Sequence, residues 1–247
     1  MIFFKMLQIF TNKLRNYILV AKHIPGITKM AHEYTNGEGK LRHIFHELKE
    51  HLPFTIISSI AAMVLVGILT FLEFTLKEDI ITQGSRNLFH IFHPVHILFS
   101  ATATTAMFWR YEKRLLKAII IGVLGSILIC GVSDVIIPYC SGFVLGKDFE
   151  FHICILDHPF KILPFVAIGI FVGIIAMERI EKTTFFSHSG HVFSSSMASM
   201  LYLISFGLID WFDHVGSVFI IIILAVIIPC CSSDIVYPLL LTKERKK

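Results

Sequence analysis

Residues 89–109 read FHIFHPVHILFSATATTAMFW, and residues 122–142 read GVLGSILICGVSDVIIPYCSG. The first stretch puts His90, His93 and His96 at the mouth of one apolar segment. The second puts Asp134 and Pro138 near the close of the next. The same grammar returns in 188–200, HSGHVFSSSMASM, and in 227–238, IIPCCSSDIVYP. A duplicated set of membrane-spanning helices accounts for both the repetition and the apolar runs.

Composition points the same way. Of 247 residues, 55% are hydrophobic and 16% charged, with a mean hydropathy of +0.73. Soluble domains usually carry about 25% charged residues. Apolar runs near the ~20 residues that cross a bilayer fall at 53–74, 94–109, 117–138, 162–177, 192–211 and 217–240. The second and fourth are short. The expected fold is an all-α polytopic membrane protein of six transmembrane helices, arranged as two inverted three-helix repeats.

The expected organisation is a cytoplasmic or interfacial region 1–52, repeat 1 at 53–138, an external connector 139–161, repeat 2 at 162–241 and a basic tail 242–247. In the first region Ile2, Phe3, Met6, Leu7, Phe10 and Leu14 recur at helical spacing among basic residues, the pattern of an amphipathic interfacial helix. The formal charge of +4 sits mostly at the two ends and in the Arg110–Lys117 link. Positive-inside bias puts those three regions in the cytoplasm, so both termini face inward across a cell (inner) membrane. No zinc-finger spacing or basic-aromatic platform supports nucleic-acid binding. The partners expected are the bilayer and a small cation, and a homo-oligomer is compatible with the sequence.

The repeat pairs His93 and His96 with His188 and His191, and Asp134 and Pro138 with Asp234 and Pro238. A repeat of three spans runs in opposite directions through the membrane, as in many secondary transporters. The pairing therefore sends His90, His93, His96, Asp134, Cys140 and His158 to the outer mouth. It sends His46, His51, His188, His191, Cys230, Cys231 and Asp234 to the inner mouth. Two related clusters suit a two-sided route better than a single reaction centre.

Asp134 and Asp234 each follow a Ser and precede three largely apolar residues and a Pro. A carboxylate near the hydrocarbon is costly and marks a functional site by default. Pro removes a backbone donor, so a broken helix beside each Asp offers a cation site. Pro94 is expected to place His93 at a helix cap and His96 inside the span. Neutral imidazoles suit late first-row divalent ions, and a carboxylate adds charge and an oxygen donor. The hydroxyls Ser100, Thr104, Ser195 and Ser199 either line the route or let helices approach closely, as the small residues Gly169 and Gly173 do. Cys140, Cys230 and Cys231 would tune the site toward softer ions, whereas Cys130 and Cys154 read as small buried hydrophobes. Five cysteines without a CxxC argue against a disulfide framework, and a Cys140–Cys154 pair stays open if both lie outside the cell.

Enzyme signatures mostly fail. His46 and His51 are one residue too far apart for HExxH, and neither a GxSxG elbow nor a phosphate-cradling loop is present. The expectation is a transporter or channel for a cation, foremost a divalent transition metal serving as substrate or ligand. The alternatives are an intramembrane metal-dependent enzyme and a noncatalytic scaffold or lipid-binding protein.

Overall fold

The computed structural model describes residues 37–76, 80–175, 180–231 and 237, with side chains omitted at 37–48, 50, 74, 76, 80–83, 180–188 and 231. The chain divides into two units, Met1–His46 and Glu47–Lys247, and the candidate site lies within the second. The expected amphipathic helix near the amino terminus, the basic tail and Asp234 lie outside the described residues.

Every regular element among the described residues is helical. The elements are α1 (Gly37–Leu76), α2 (Ile80–Tyr111), α3 (Leu115–Val144), α4 (Cys154–Asp157), α5 (Pro159–Ile175), α6 (Ile180–Phe206) and α7 (Val215–Cys231). A 3₁₀ turn, Trp211–His214, leads into α7. Among the described residues, four segments are long and apolar enough to cross a membrane: His51–Glu73, Gly84–Tyr111, Leu115–Val144 and Trp211–Cys230. The shorter α5 is equally apolar in character. The remaining expected span, 192–211, falls mostly on α6, a Ser- and His-bearing helix outside those four.

Polarity is turned inside out relative to a soluble protein. Ser59, Ser100, Thr104, Thr105, Ser126, Asp134, Ser195 and Ser199 are fully buried. Phe71, Leu116, Phe143, Phe160 and Phe171 are 65% exposed or more. In water that exterior would expose far more apolar surface than a monomer tolerates. Against lipid tails it is the stable arrangement, and the polar side chains gather where helices can satisfy them.

The central helix is α2, which packs along α5, α6 and α3. Its approach to α5 depends on two glycines. A Cβ on Gly169 would stand 2.6 Å from the Leu98 carbonyl oxygen, and one on Gly173 would stand 2.7 Å from that of Thr102. Lipid supplies no hydrophobic drive between helices, so such close backbone contact carries the packing. The sequence reading of this small-residue face holds.

Two expectations about helix ends need correction. Pro94 does not open a helix at His93, because α2 runs through it from Ile80 to Tyr111. Pro138 likewise does not close the third span, which continues to Val144. Ahead of Pro138 the helix widens into π turns at Gly125–Ile129 and Val132–Ile136. The Ile137 amide accordingly bonds the Val132 carbonyl, five residues back. Single π turns of this kind are frequent at functional sites, and Asp134 sits in the second.

The true end of α3 is a Schellman turn. Gly146 takes φ 65°, its amide bonds the Phe143 carbonyl, and the Lys147 amide reaches back to Gly142. Residues 147–153 then fold back over the bundle. The Glu150 amide bonds the Phe206 carbonyl at 2.8 Å, and Arg86 binds the Glu150 carboxylate at 2.8 Å while lying over the Phe206 ring. Phe149 fills the space left by Gly142 and Gly207. This segment reaches the site as a pinned strap.

Candidate metal centre

Three helices bring one donor atom each to a common point. His96 comes from α2, His191 from α6 and Cys230 from the end of α7. All three are buried, and their ligand atoms lie within 4.8 Å of one another. The Nε2 atoms of His96 and His191 are 2.9 Å apart, and Cys230 Sγ is 3.6 Å from His96 Nε2. A second sulfur, Cys130 Sγ, is 3.7 Å from the same nitrogen. Zn–N bonds of about 2.0–2.1 Å and Zn–S bonds of about 2.3 Å give a tetrahedral shell an N···S edge of about 3.6 Å. The sulfur distances match that edge, while the imidazole pair is closer than the corresponding N···N edge of about 3.4 Å.

Asp134 holds the imidazoles from behind. His96 Nδ1–H donates to Asp134 Oδ2 at 2.7 Å, and His93 Nδ1–H donates to the same oxygen at 2.8 Å. The bond to Asp134 fixes the tautomer of His96 so that its Nε2 lone pair faces His191 and Cys230. This is the carboxylate–histidine arrangement that backs most metal-binding imidazoles. Ser195 completes the shell by donating to Asp134 Oδ1 at 3.2 Å. It also lies 2.8 Å from Ser133 Oγ and 3.5 Å from Cys230 Sγ. Ser199 donates to the Ser133 carbonyl at 3.2 Å, which ties α6 to the π turn carrying Asp134.

A second group forms around His90, six residues earlier on α2. His90 Nδ1 and His152 Nε2 each lie 3.5 Å from Cys154 Sγ. The three donors again fall within 4.8 Å of one another. His152 is backed as His96 is, through an Nδ1 contact of 2.8 Å to Asp157 Oδ2. The His158 ring is 5.1 Å from that of His90. Burial pushes the Cys154 thiol up to about 12, and it also lowers the His152 imidazole below its usual value. Fully buried Phe89 stands between the groups. It stacks on His93 at 5.3 Å and meets His152 edge-on at 6.3 Å.

The separation into two mouths does not survive. His96 and Asp134 belong to the expected outer cluster, and His191 and Cys230 to the inner one, yet the four form one buried assembly. The expected sites lie nearer the centre of the bundle because both prolines sit within helices rather than at their ends. Asp134 approaches the donor group as a support for His96 and not as a fourth converging atom. Cys130 is no remote core filler, since it touches the site. Ser100 and Thr104 are buried on α2. His51 on α1 and exposed Cys140 on α3 belong to neither donor group. Cys140 and Cys154 are free thiols, which removes the disulfide left open above. His46, His188 and Cys231 have no described side chains, and Asp234 is outside the described residues.

His152 and Cys154 were the residues missed. The available signal was His152-Ile153-Cys154 in the connector, whose meaning depends on the strap returning to α2. No protein-family model, curated protein or solved structure matches the chain.

Proposed function

We propose that this chain is a membrane carrier of a late first-row divalent transition metal, with Zn²⁺ the fitting ion for two imidazoles and a thiolate. The observation that carries the reading is the convergence of His96 and His191 Nε2 with Cys230 Sγ, with Cys130 Sγ close by. The converging residues are paired by the internal repeat. His96 corresponds to His191, and Cys130 precedes Asp134 by the same step that Cys230 precedes Asp234. Two inverted halves that each contribute an imidazole and a thiol to one point build a site at their interface, where secondary transporters bind their substrates.

Charge supports the same reading. A divalent ion with the Cys230 thiolate and the Asp134 carboxylate forms a neutral assembly. Neutrality matters because an unbalanced buried charge costs several kcal/mol or more. In this reading both termini are cytoplasmic and the ion passes between the halves. Asp134 positions His96 and His93, while Ser195 holds Asp134 and is itself bonded to Ser133.

A second reading is an intramembrane metalloenzyme. It is favoured by the set of three close protein donors, since catalytic zinc centres keep a fourth position open for water. Flux into sealed proteoliposomes separates the two. The carrier reading expects saturable Zn²⁺ uptake that Cys230→Ser and Asp134→Asn abolish or strongly reduce while the protein stays folded. Stoichiometric bound metal without flux would contradict the carrier and favour the enzyme.

A further inference from the structure

We propose that His90, His152 and Cys154 form a second metal site, a capture site for a thiophilic divalent ion such as Zn²⁺ at the connector end of α2. As a first station on a route, it rests on the carrier reading above. As a site, it stands on its own donors, none shared with the buried group.

Both imidazole–sulfur distances are 3.5 Å, close to the edge of about 3.6 Å that a tetrahedral Zn²⁺ with these donors requires. Which nitrogens converge is equally telling. His152 presents Nε2 to Cys154 because Asp157 engages its Nδ1 at 2.8 Å. The carboxylate–imidazole unit that orients His96 is thus built a second time from unrelated residues. That outer-shell partner is the usual companion of a metal-bound histidine.

The surroundings hold the donors in place. His90 rides on α2, whereas His152 and Cys154 arrive on the strap. The His152 amide bonds Tyr202 Oη at 3.3 Å, and the Tyr202 hydroxyl bonds the Glu150 carbonyl at 3.3 Å. His152 also stacks on Phe206 at 4.9 Å. The Phe206 stack and the Asp157 contact therefore hold the His152 ring, and Tyr202 holds its backbone, while Cys154 starts α4. His90 and His152 are half-buried, and Cys154 is buried. That grading gives water a path to the imidazoles and keeps the sulfur dry. His158 supplies a neighbouring imidazole as a fourth donor or as a ligand during exchange. Phe89 lies between this site and the buried one, stacked on His93 and edge-on to His152.

The test is Co²⁺ titration of the full chain in detergent micelles, followed by the thiolate-to-cobalt absorption band. Wild type is expected to bind two equivalents, each with sulfur character. Cys154→Ser should bind one, and Cys230→Ser should also bind one. Wild-type stoichiometry and absorption in Cys154→Ser would overturn the second site while leaving the buried one intact. Two equivalents in Cys230→Ser would instead sink the buried site and leave this one standing. If Cys154→Ser fails to fold, Asp157→Asn serves, because Asp157 is half exposed. It should weaken one class of Co²⁺ by about 10- to 100-fold, and unchanged affinities would refute the assignment. Stopped-flow loading of the buried site should slow in Cys154→Ser. An unchanged rate would remove the capture role.

Discussion

The two donor groups use the same parts in different surroundings. Each joins two imidazoles to one thiol, and each has an aspartate behind a histidine. In the inner group Asp134 is fully buried and serves two histidines and a serine. In the outer group Asp157 is half exposed and serves one. Water can replace Asp157 in part, but nothing can replace Asp134 at depth. The comparison teaches that an orienting carboxylate grows in consequence as solvent is withdrawn, because unsatisfied polar groups in a dry interior are costly.

The hardest test of that contrast removes a donor. Cys230→Ser or His191→Ala should weaken metal at the inner group by more than about 100-fold, exceeding the usual effect of an outer-shell change. Isothermal titration on the Cys154→Ser background isolates that group. A loss below tenfold would mean that these atoms do not hold the ion.

Next comes the pair of carboxylates. Asp134→Asn should cost the inner group close to the upper end of the usual outer-shell range, about 100-fold in affinity, and Asp157→Asn should cost the outer group close to its lower end, about tenfold. Equal losses would erase the distinction drawn from burial. Asp234→Asn extends the comparison to the repeat. If the two halves are equivalent, its effect on the inner group should resemble that of Asp134→Asn.

Packing should matter more moderately. Gly169→Val and Gly173→Val push a side chain into the α2 backbone. Each should destabilise the protein by about 1–3 kcal/mol, the usual range for overpacking. Thermal unfolding in micelles would report it. Unchanged stability would show that α2 and α5 have room to separate.

The smallest effect lies at the surface, where Lys147 pairs with Asp210. The Lys147 hydrogen bond holds the Asp210 carboxyl below its ordinary value of 3.8. The pair's contribution is therefore present above that pH and lost as pH falls through the lowered value. Exposed pairs contribute little, so Asp210→Asn should leave unfolding at pH 7 nearly unchanged. A large loss there would show that the pair organises the strap.

Much of this was legible in residue order. The apolar runs announced a helical membrane protein, and Gly169 and Gly173 announced close packing. His96, Asp134, His191 and Cys230 stood out because polar groups in apolar segments need a reason. Other features depended on three dimensions. Pro94 and Pro138 read as helix boundaries, since sequence does not reveal that both helices run on through them. That misreading moved the polar residues to the mouths and split one cluster into two. Cys130 looked like filler because its contact with His96 needs the partner helix. His152 and Cys154 lay in a connector whose return path is set by Arg86, Phe149 and Tyr202 together.

X-ray absorption at the zinc edge of Zn²⁺-loaded Cys154→Ser protein tests the central claim most directly. The account predicts a first shell containing sulfur at about 2.3 Å together with imidazole nitrogen at about 2.0–2.1 Å, with the sulfur component falling in Cys230→Ser. A shell of oxygen and nitrogen alone, or a sulfur component indifferent to Cys230, would contradict it.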